Sequence, residues 1–144
     1  MNELSGKTAV VTGGNSGIGY ATARKFRELG AEVVITGRNA QAVEQAAAEL
    51  GVLGVVADQA SLGDLDALVD RVKEKFGGAD ILFVNAGVAA FAPVEHVTEE
   101  QFDTTMNVNF KGAFFTMQKF LTILRDGASV INLSSINAYT GMSN

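Results

Sequence analysis

The stretch Thr12-Gly13-Gly14-Asn15-Ser16-Gly17-Ile18-Gly19 limits what this chain can fold into more than any other. It follows an apolar run that reads as a buried strand over residues 8–12, and it opens a helical pattern over residues 17–29. A strand, a glycine turn and a helix N-terminus in that order make a place for a phosphate. The N–H groups of the first helical turn have no partner within the helix, and the helix dipole favours negative charge there. Gly13 permits the unusual φ of a tight turn. Gly17 lets backbone approach a pyrophosphate with no Cβ in the way, and Gly19 lets the helix pack close to the strand. Glycine-rich turns also mark ordinary loops; the strand before and the helix after single this one out.

Strand and helix patterns then alternate. In the first helix Ile18, Ala21, Phe26 and Leu29 can share one face. Residues 32–36 form a second strand. Asn39 caps a second helix whose buried stripe is Val43, Ala46, Ala47 and Leu50. Residues 53–57 form a third strand, ending at Asp58. Ser61, with Asp64 three positions on, starts a third helix that buries Leu65, Leu68, Val69, Val72 and Phe76. Residues 81–84 form a fourth strand, closed by Asn85-Ala86-Gly87.

Thr98 and Gln101 are spaced as a capping box for a long helix running to about residue 125. Phe102, Met106, Phe110, Ala113, Met117, Phe120 and Leu124 recur along it at helical spacing. Asn107, Asn109 and Gly112 are poor helix formers in its middle and point to an irregularity or a functional demand there. Residues 129–133 form a fifth strand, ending in Ser134-Ser135, and residues 136–144 read as a loop. The strands are apolar throughout, as when helices cover both faces of a parallel sheet. The pattern βαβαβαβαβ predicts an α/β, Rossmann-like doubly wound parallel sheet of order 3-2-1-4-5. Ligands bind at strand carboxyl ends near the switch between strands 1 and 4, where Gly13, Asn85 and Ser135 fall.

At 144 residues the chain is expected to be one domain, residues 1–144, and 47% apolar against 19% charged residues suits a packed core. A net charge of −5 argues against nucleic acid or an anionic membrane as partner. Cysteine is absent, so neither disulfides nor thiolate chemistry is available, which is compatible with a cytoplasmic location. No apolar run reaches the length of a membrane span, and the first five residues lack the apolar core of a signal peptide. His96 has no cysteine or second histidine to share a metal, so no metal is expected and His96 reads as a surface loop residue.

Five features agree in order and spacing: the Thr12-Gly13-x-x-x-Gly17-Ile18-Gly19 turn, Asp58, Asn85-Ala86-Gly87, Asn109-x-x-Gly112 and Ser134-Ser135. Together they resemble the short-chain dehydrogenase/reductase family. That resemblance implies reversible hydride transfer between a nicotinamide cofactor and a small-molecule carbonyl or alcohol. It implies that Gly13, Asn15, Ser16, Gly17, Ile18 and Gly19 surround the pyrophosphate. Asp58, with Gln59 beside it, would meet the adenine, and Asn85, Ala86 and Gly87 would line the nicotinamide-side ribose. Asn109 would hold the water of a proton relay, and Ser135 would hydrogen-bond the substrate oxygen. Val84 stands where the family often has another Asn.

Cofactor choice rests on the end of the second strand. An NAD site usually places an acid there for the ribose 2′-OH. Here the chain reads Thr36-Gly37-Arg38, and a guanidinium fork suits a 2′-phosphate, so NADP is expected over NAD. The family's general acid is a tyrosine followed four residues later by a lysine. No Tyr-x-x-x-Lys occurs in this sequence, and Tyr139 lies only four residues after Ser135. The chain therefore reads as the first part of such an enzyme, truncated after strand five and inactive by itself. An open strand edge would favour a homo-oligomer or pairing with a complementary C-terminal fragment. The other readings are a dinucleotide-binding half-domain without chemistry, and an interaction fragment that binds no nucleotide.

Overall fold

β-branched and other apolar residues concentrate in four short strands, β1 (Thr8–Val11), β2 (Glu32–Gly37), β3 (Leu53–Val56) and β4 (Ala79–Val84), and a longer, more polar fifth strand is β5 (Leu124–Asn132). The structure is a computed structural model that describes residues 3–140, apart from the side chain of Ala138. The strands pair in parallel in the order β3-β2-β1-β4-β5. Between them lie α1 (Gly17–Glu28), α2 (Ala40–Leu50), α3 (Leu62–Phe76), α4 (Glu99–Met106) and α5 (Ala113–Phe120).

Successive strand residues face opposite sides of the sheet. Val10, Val34 and Leu82 therefore join Leu68 and Val72 of α3 and Phe120 of α5 in one apolar layer. Ala9, Val11, Val33 and Ile35 join Ala23 of α1 and Ala46 and Ala47 of α2 in the other. Fully burying one Val, Leu or Ile side chain stabilises by about 1.5–3 kcal/mol, so the two layers fix which way each strand faces.

Capping chemistry sets three helix starts. The side chains of Asn39, Ser61 and Thr98 accept from the backbone N–H groups of Ala42, Asp64 and Gln101, and Gln101 completes a reciprocal capping box with Thr98. The stripes expected on α2 and α3 are buried, with Leu50 and Phe76 partly so. The face expected on α1 is not. Its buried residues are Gly19 and Ala23, whereas Ile18 and Ala21 are exposed. At Gly19 the helix lies so close to Gly13 and Asn85 that no Cβ fits, while Tyr20 and Phe26 pack partly buried against the same layer.

The long helix is also corrected. It is α4, then a π-helical turn over Asn107–Gly112, then α5 ending at Phe120. The poor helix formers Asn107, Asn109 and Gly112 occupy the π turn, whose wider i→i+5 spacing resets the helical phase. Phe102, Met106 and Phe110 are consequently exposed while Phe120 is buried. Leu124 belongs to β5 and pairs with Ala79. Regular pairing resumes at Ser129, opposite Ile81, after residues 125–128 bulge out. Unlike the inner strands, β5 is largely exposed; it is an edge strand, with β4 on one side. Ile136–Ala138 is a short 3₁₀ turn, and residues 141–144 of the expected closing loop lie outside the described residues. Among the described residues no helix is long and apolar enough to cross a membrane.

The amino ends of the strands are tied by Asp80. Its Oδ2 accepts from the Thr8 N–H at 2.9 Å and from Arg125 Nη1 at 2.6 Å, and Lys7 Nζ lies 3.4 Å from Oδ1. Burial pushes this carboxyl up, but the Thr8 N–H, Arg125 and Lys7 outweigh it and hold it below the usual carboxylate value. Because the folded value is depressed, the stabilisation is present above the unfolded value of about 3.9 and is lost as pH falls through the folded one. Replacing Asp80 with Asn is expected to lower stability by about 1–3 kcal/mol near neutral pH. In denaturant titrations the difference from wild type should shrink below about pH 4.

Candidate functional site

The carboxyl ends of β1 and β4 are locked together by side chains at the glycine turn. Thr12 is buried, and its Oγ1 accepts from the backbone N–H groups of Asn85 and Ala86, both at 3.0 Å. In return Asn85 Nδ2 donates to the carbonyls of Thr12 and Gly13, at 2.9 and 3.2 Å. Gly13 adopts φ +64°, and a Cβ there would stand 2.9 Å from Ala86 Cα. At Gly19 a Cβ would come within 2.3 Å of the Gly13 carbonyl oxygen. The turn, the end of β4 and the start of α1 therefore form one closely fitted unit.

The start of α1 differs from those of α2, α3 and α4. The Ser16 side chain that precedes it makes no cap, whereas Asn39, Ser61 and Thr98 each cap their own helix. The donors at this helix end open on a crevice of about 730 Å³. Gly13, Asn15, Ser16, Gly17, Ile18, Arg38, Asp58, Gln59, Asn85, Ala86 and Gly87 all line it. Gly19, grouped with them from the sequence, does not: it is buried against Gly13 and Asn85. Ile18, exposed rather than packed in the core, faces this space.

Arg38 is exposed just beyond the end of β2. The Asp58 loop is shaped by its neighbours. Asp58 Oδ1 accepts from the Ala60 N–H, and the Asp58 N–H donates to Asp64 Oδ2 at 2.8 Å. That N–H, and then the Ser61 hydroxyl, hold the Asp64 carboxyl below its usual value.

A second crevice, of about 720 Å³, adjoins the first and shares Asn85, Ala86, Gly87 and Val88 with it as a common wall. Asn109 and Ser135 line it, so both stand beside the Gly13 turn rather than across the sheet from it. Asn109 Oδ1 accepts from the Val88 N–H at 2.8 Å, and its Nδ2 donates to the Val88 carbonyl at 2.7 Å. Ser135 Oγ accepts from the Asn137 N–H at 3.2 Å. Among the described residues, no ionisable side chain lines this crevice. His96 is exposed in a 3₁₀ turn, and Tyr139 is 91% exposed.

Sequence reasoning missed the role of the Thr12 hydroxyl: Thr12 was placed at the strand end and the head of the glycine turn, with no task for its side chain. A polar side chain directly before a glycine turn was the available signal. It also missed the side-chain roles of Asn85 and Gln59, whose hydrogen bonds reach residues far away in the chain.

The family model for short chain dehydrogenases matches residues 7–144. The chain is 40% identical over 147 residues to an NADP-dependent (R)-specific alcohol dehydrogenase of Lentilactobacillus kefiri, covering 97% of this chain and 58% of that protein. A short-chain dehydrogenase/reductase of Brucella melitensis superposes with a TM-score of 0.94 at 32% identity, over 97% of this chain and 61% of its own. A Burkholderia cenocepacia short chain dehydrogenase in complex with NADP superposes with a TM-score of 0.91 at 33% identity, over 98% and 60%. The chain thus spans about three fifths of the length of these relatives.

Substituting Thr12 by Val keeps the shape but removes the acceptor from two backbone donors. The expected cost is about 1–3 kcal/mol for each donor left buried and unpaired. Chemical denaturation of the variant would measure it.

Proposed function

The chain belongs to the short-chain dehydrogenase family, and from that premise we propose that it supplies the nicotinamide dinucleotide site of an oxidoreductase acting on a small-molecule carbonyl or alcohol. The observation that carries this reading is the bare start of α1. Three helices spend a side chain on their own first N–H groups, and α1 leaves its donors facing an open crevice. Such a helix end suits a pyrophosphate, because oriented N–H groups and the helix dipole act together. Asp58 then stands where the adenine amino group would be recognised, and Asn85, Ala86 and Gly87 where the second ribose would lie. When bound, the cofactor supplies or accepts a hydride. Ser135 and Asn109 border the adjoining crevice, where the substrate oxygen would be held.

NADP is the preferred cofactor in this reading. Arg38 follows β2 with no acid beside it, and its fork matches a phosphate better than a hydroxyl. The NADP dependence of the Lentilactobacillus relative and the NADP complex of the Burkholderia protein point the same way.

The 144 residues alone are proposed to bind without turning over. A serine hydroxyl and an amide provide no group that titrates near neutral pH, and general acid catalysis contributes about 10²- to 10⁴-fold. Fluorescence titration should find NADP bound more tightly than NAD, with Arg38→Ala weakening NADP by roughly 10- to 100-fold and leaving NAD unchanged. Tighter binding of NAD would overturn the cofactor assignment. Normal turnover by the purified chain would overturn the proposed inactivity.

A further inference from the structure

We infer that Gln59 is a positioning residue that couples the Asp58 end of the first crevice to the wall shared by both crevices. The ligand arm of its test rests on the dinucleotide reading above; the structural arm does not.

Gln59 follows Asp58 and is 5% exposed. Its Nε2 donates to two carbonyls, Ala86 and Val108, each at 3.0 Å. Two acceptors facing one end of the side chain fix that end as the NH₂. The other end, Oε1, is buried and among the described residues has no hydrogen-bond partner. An orphaned interior acceptor is unfavourable, so burial alone would favour an apolar side chain here. The amide's contribution is the pair of bonds it makes.

Those bonds join separate parts of the fold. Ala86 lies just past β4, and Val108 lies in the π turn. The residue after Val108 is Asn109, which reaches back to grip both the N–H and the carbonyl of Val88. Gly112 sets the spacing: a Cβ there would stand 2.6 Å from the Gln59 carbonyl oxygen, so the π segment rests directly on the Gln59 backbone. The result is a closed ring from Gln59 to Ala86, along the chain to Val88, across to Asn109, and back through Val108 to Gln59. A shift of the Asp58 loop on meeting a ligand is transmitted through this ring to Val88 and Asn109.

The test uses the whole chain with Gln59→Met, which keeps length and burial, and Gln59→Glu, whose carboxylate has no donor for either carbonyl. Without any ligand, amide exchange at Val88 should quicken by about tenfold or more in the variants, as expected for a local opening. The Asn109 side-chain NH₂ signals should move, while the exchange of Val34 in the core stays as in wild type. Wild-type exchange at Val88 and unmoved Asn109 signals in either folded variant would overturn the proposal.

For the ligand arm, NADP is compared with 2′,5′-ADP, which lacks the nicotinamide half. The ratio of NADP affinity to 2′,5′-ADP affinity should fall by about tenfold in Gln59→Met, over and above any change the two ligands share, as for a coupling of ordinary size. An unchanged preference would overturn the coupling. Failure of wild type to bind either nucleotide would overturn the dinucleotide reading, and the exchange result would then decide the role of Gln59.

Discussion

The contact on which the rest of this structure depends is the reciprocal lock between Thr12 and Asn85. Strands β1 and β4 lie side by side, yet their helices leave the sheet in different directions, and a gap opens at that point in any doubly wound sheet. Two bonds accepted by the Thr12 hydroxyl and two donated by the Asn85 amide close the base of that gap. A typical net hydrogen bond contributes about 0.5–1.5 kcal/mol, but a buried group left without its partner costs about 1–3 kcal/mol. The lock therefore matters more for what its loss would strand than for what its presence adds. It also fixes the direction of the Gly13 turn, and with it the start of α1.

The two ends of the sheet carry opposite kinds of polarity. At the amino ends, charge is already paired, with Asp80 between Lys7 and Arg125. At the carboxyl ends, α1 leaves its donors open and Arg38 stands at the rim. A chain with a net charge of −5 would repel an anion at long range. Within a Debye length of about 8 Å at physiological salt, however, the local donors dominate what an approaching phosphate feels. Asp58, also on the crevice, is the exception in sign. Its backbone and one carboxylate oxygen are occupied by the Ala60 and Asp64 contacts, which define its position in the loop.

What could be read from the sequence was local chemistry. The cap residues Asn39, Ser61 and Thr98 act within three positions of themselves, and the β-branched strands and the Gly13 turn carry their own geometry. The parallel doubly wound sheet followed from the alternation, and its order is one of the two common ones that such a pattern allows. What could not be read was set by contacts distant in sequence. The exposed side of α1 follows from how closely Gly19 lets it approach Gly13 and Asn85. Leu124 fits a helical stripe in the sequence, but pairing with Ala79 and the bulge after it draw it into β5. Asn107, Asn109 and Gly112 announced an irregularity, though not that it would be a π turn. Gln59 was placed beside a nucleotide, while its amide bonds reach Ala86 and Val108, 27 and 49 residues along the chain.

The shared wall of residues 85–88 gives these separate facts a common consequence. A ligand in the first crevice and one in the second would meet across the same short backbone segment, which is gripped from one side by Thr12 and Gln59 and from the other by Asn109. Holding two reactants in fixed register is a large part of what an enzyme contributes, because the entropy of alignment is spent at binding rather than at reaction. Every group that does the holding here is an amide, a hydroxyl or a backbone carbonyl. None changes charge near neutral pH, so the alignment they impose does not vary as a proton moves. In such an arrangement orientation and proton transfer belong to different side chains. In the proposed function, the residues of this wall would serve the first of these tasks.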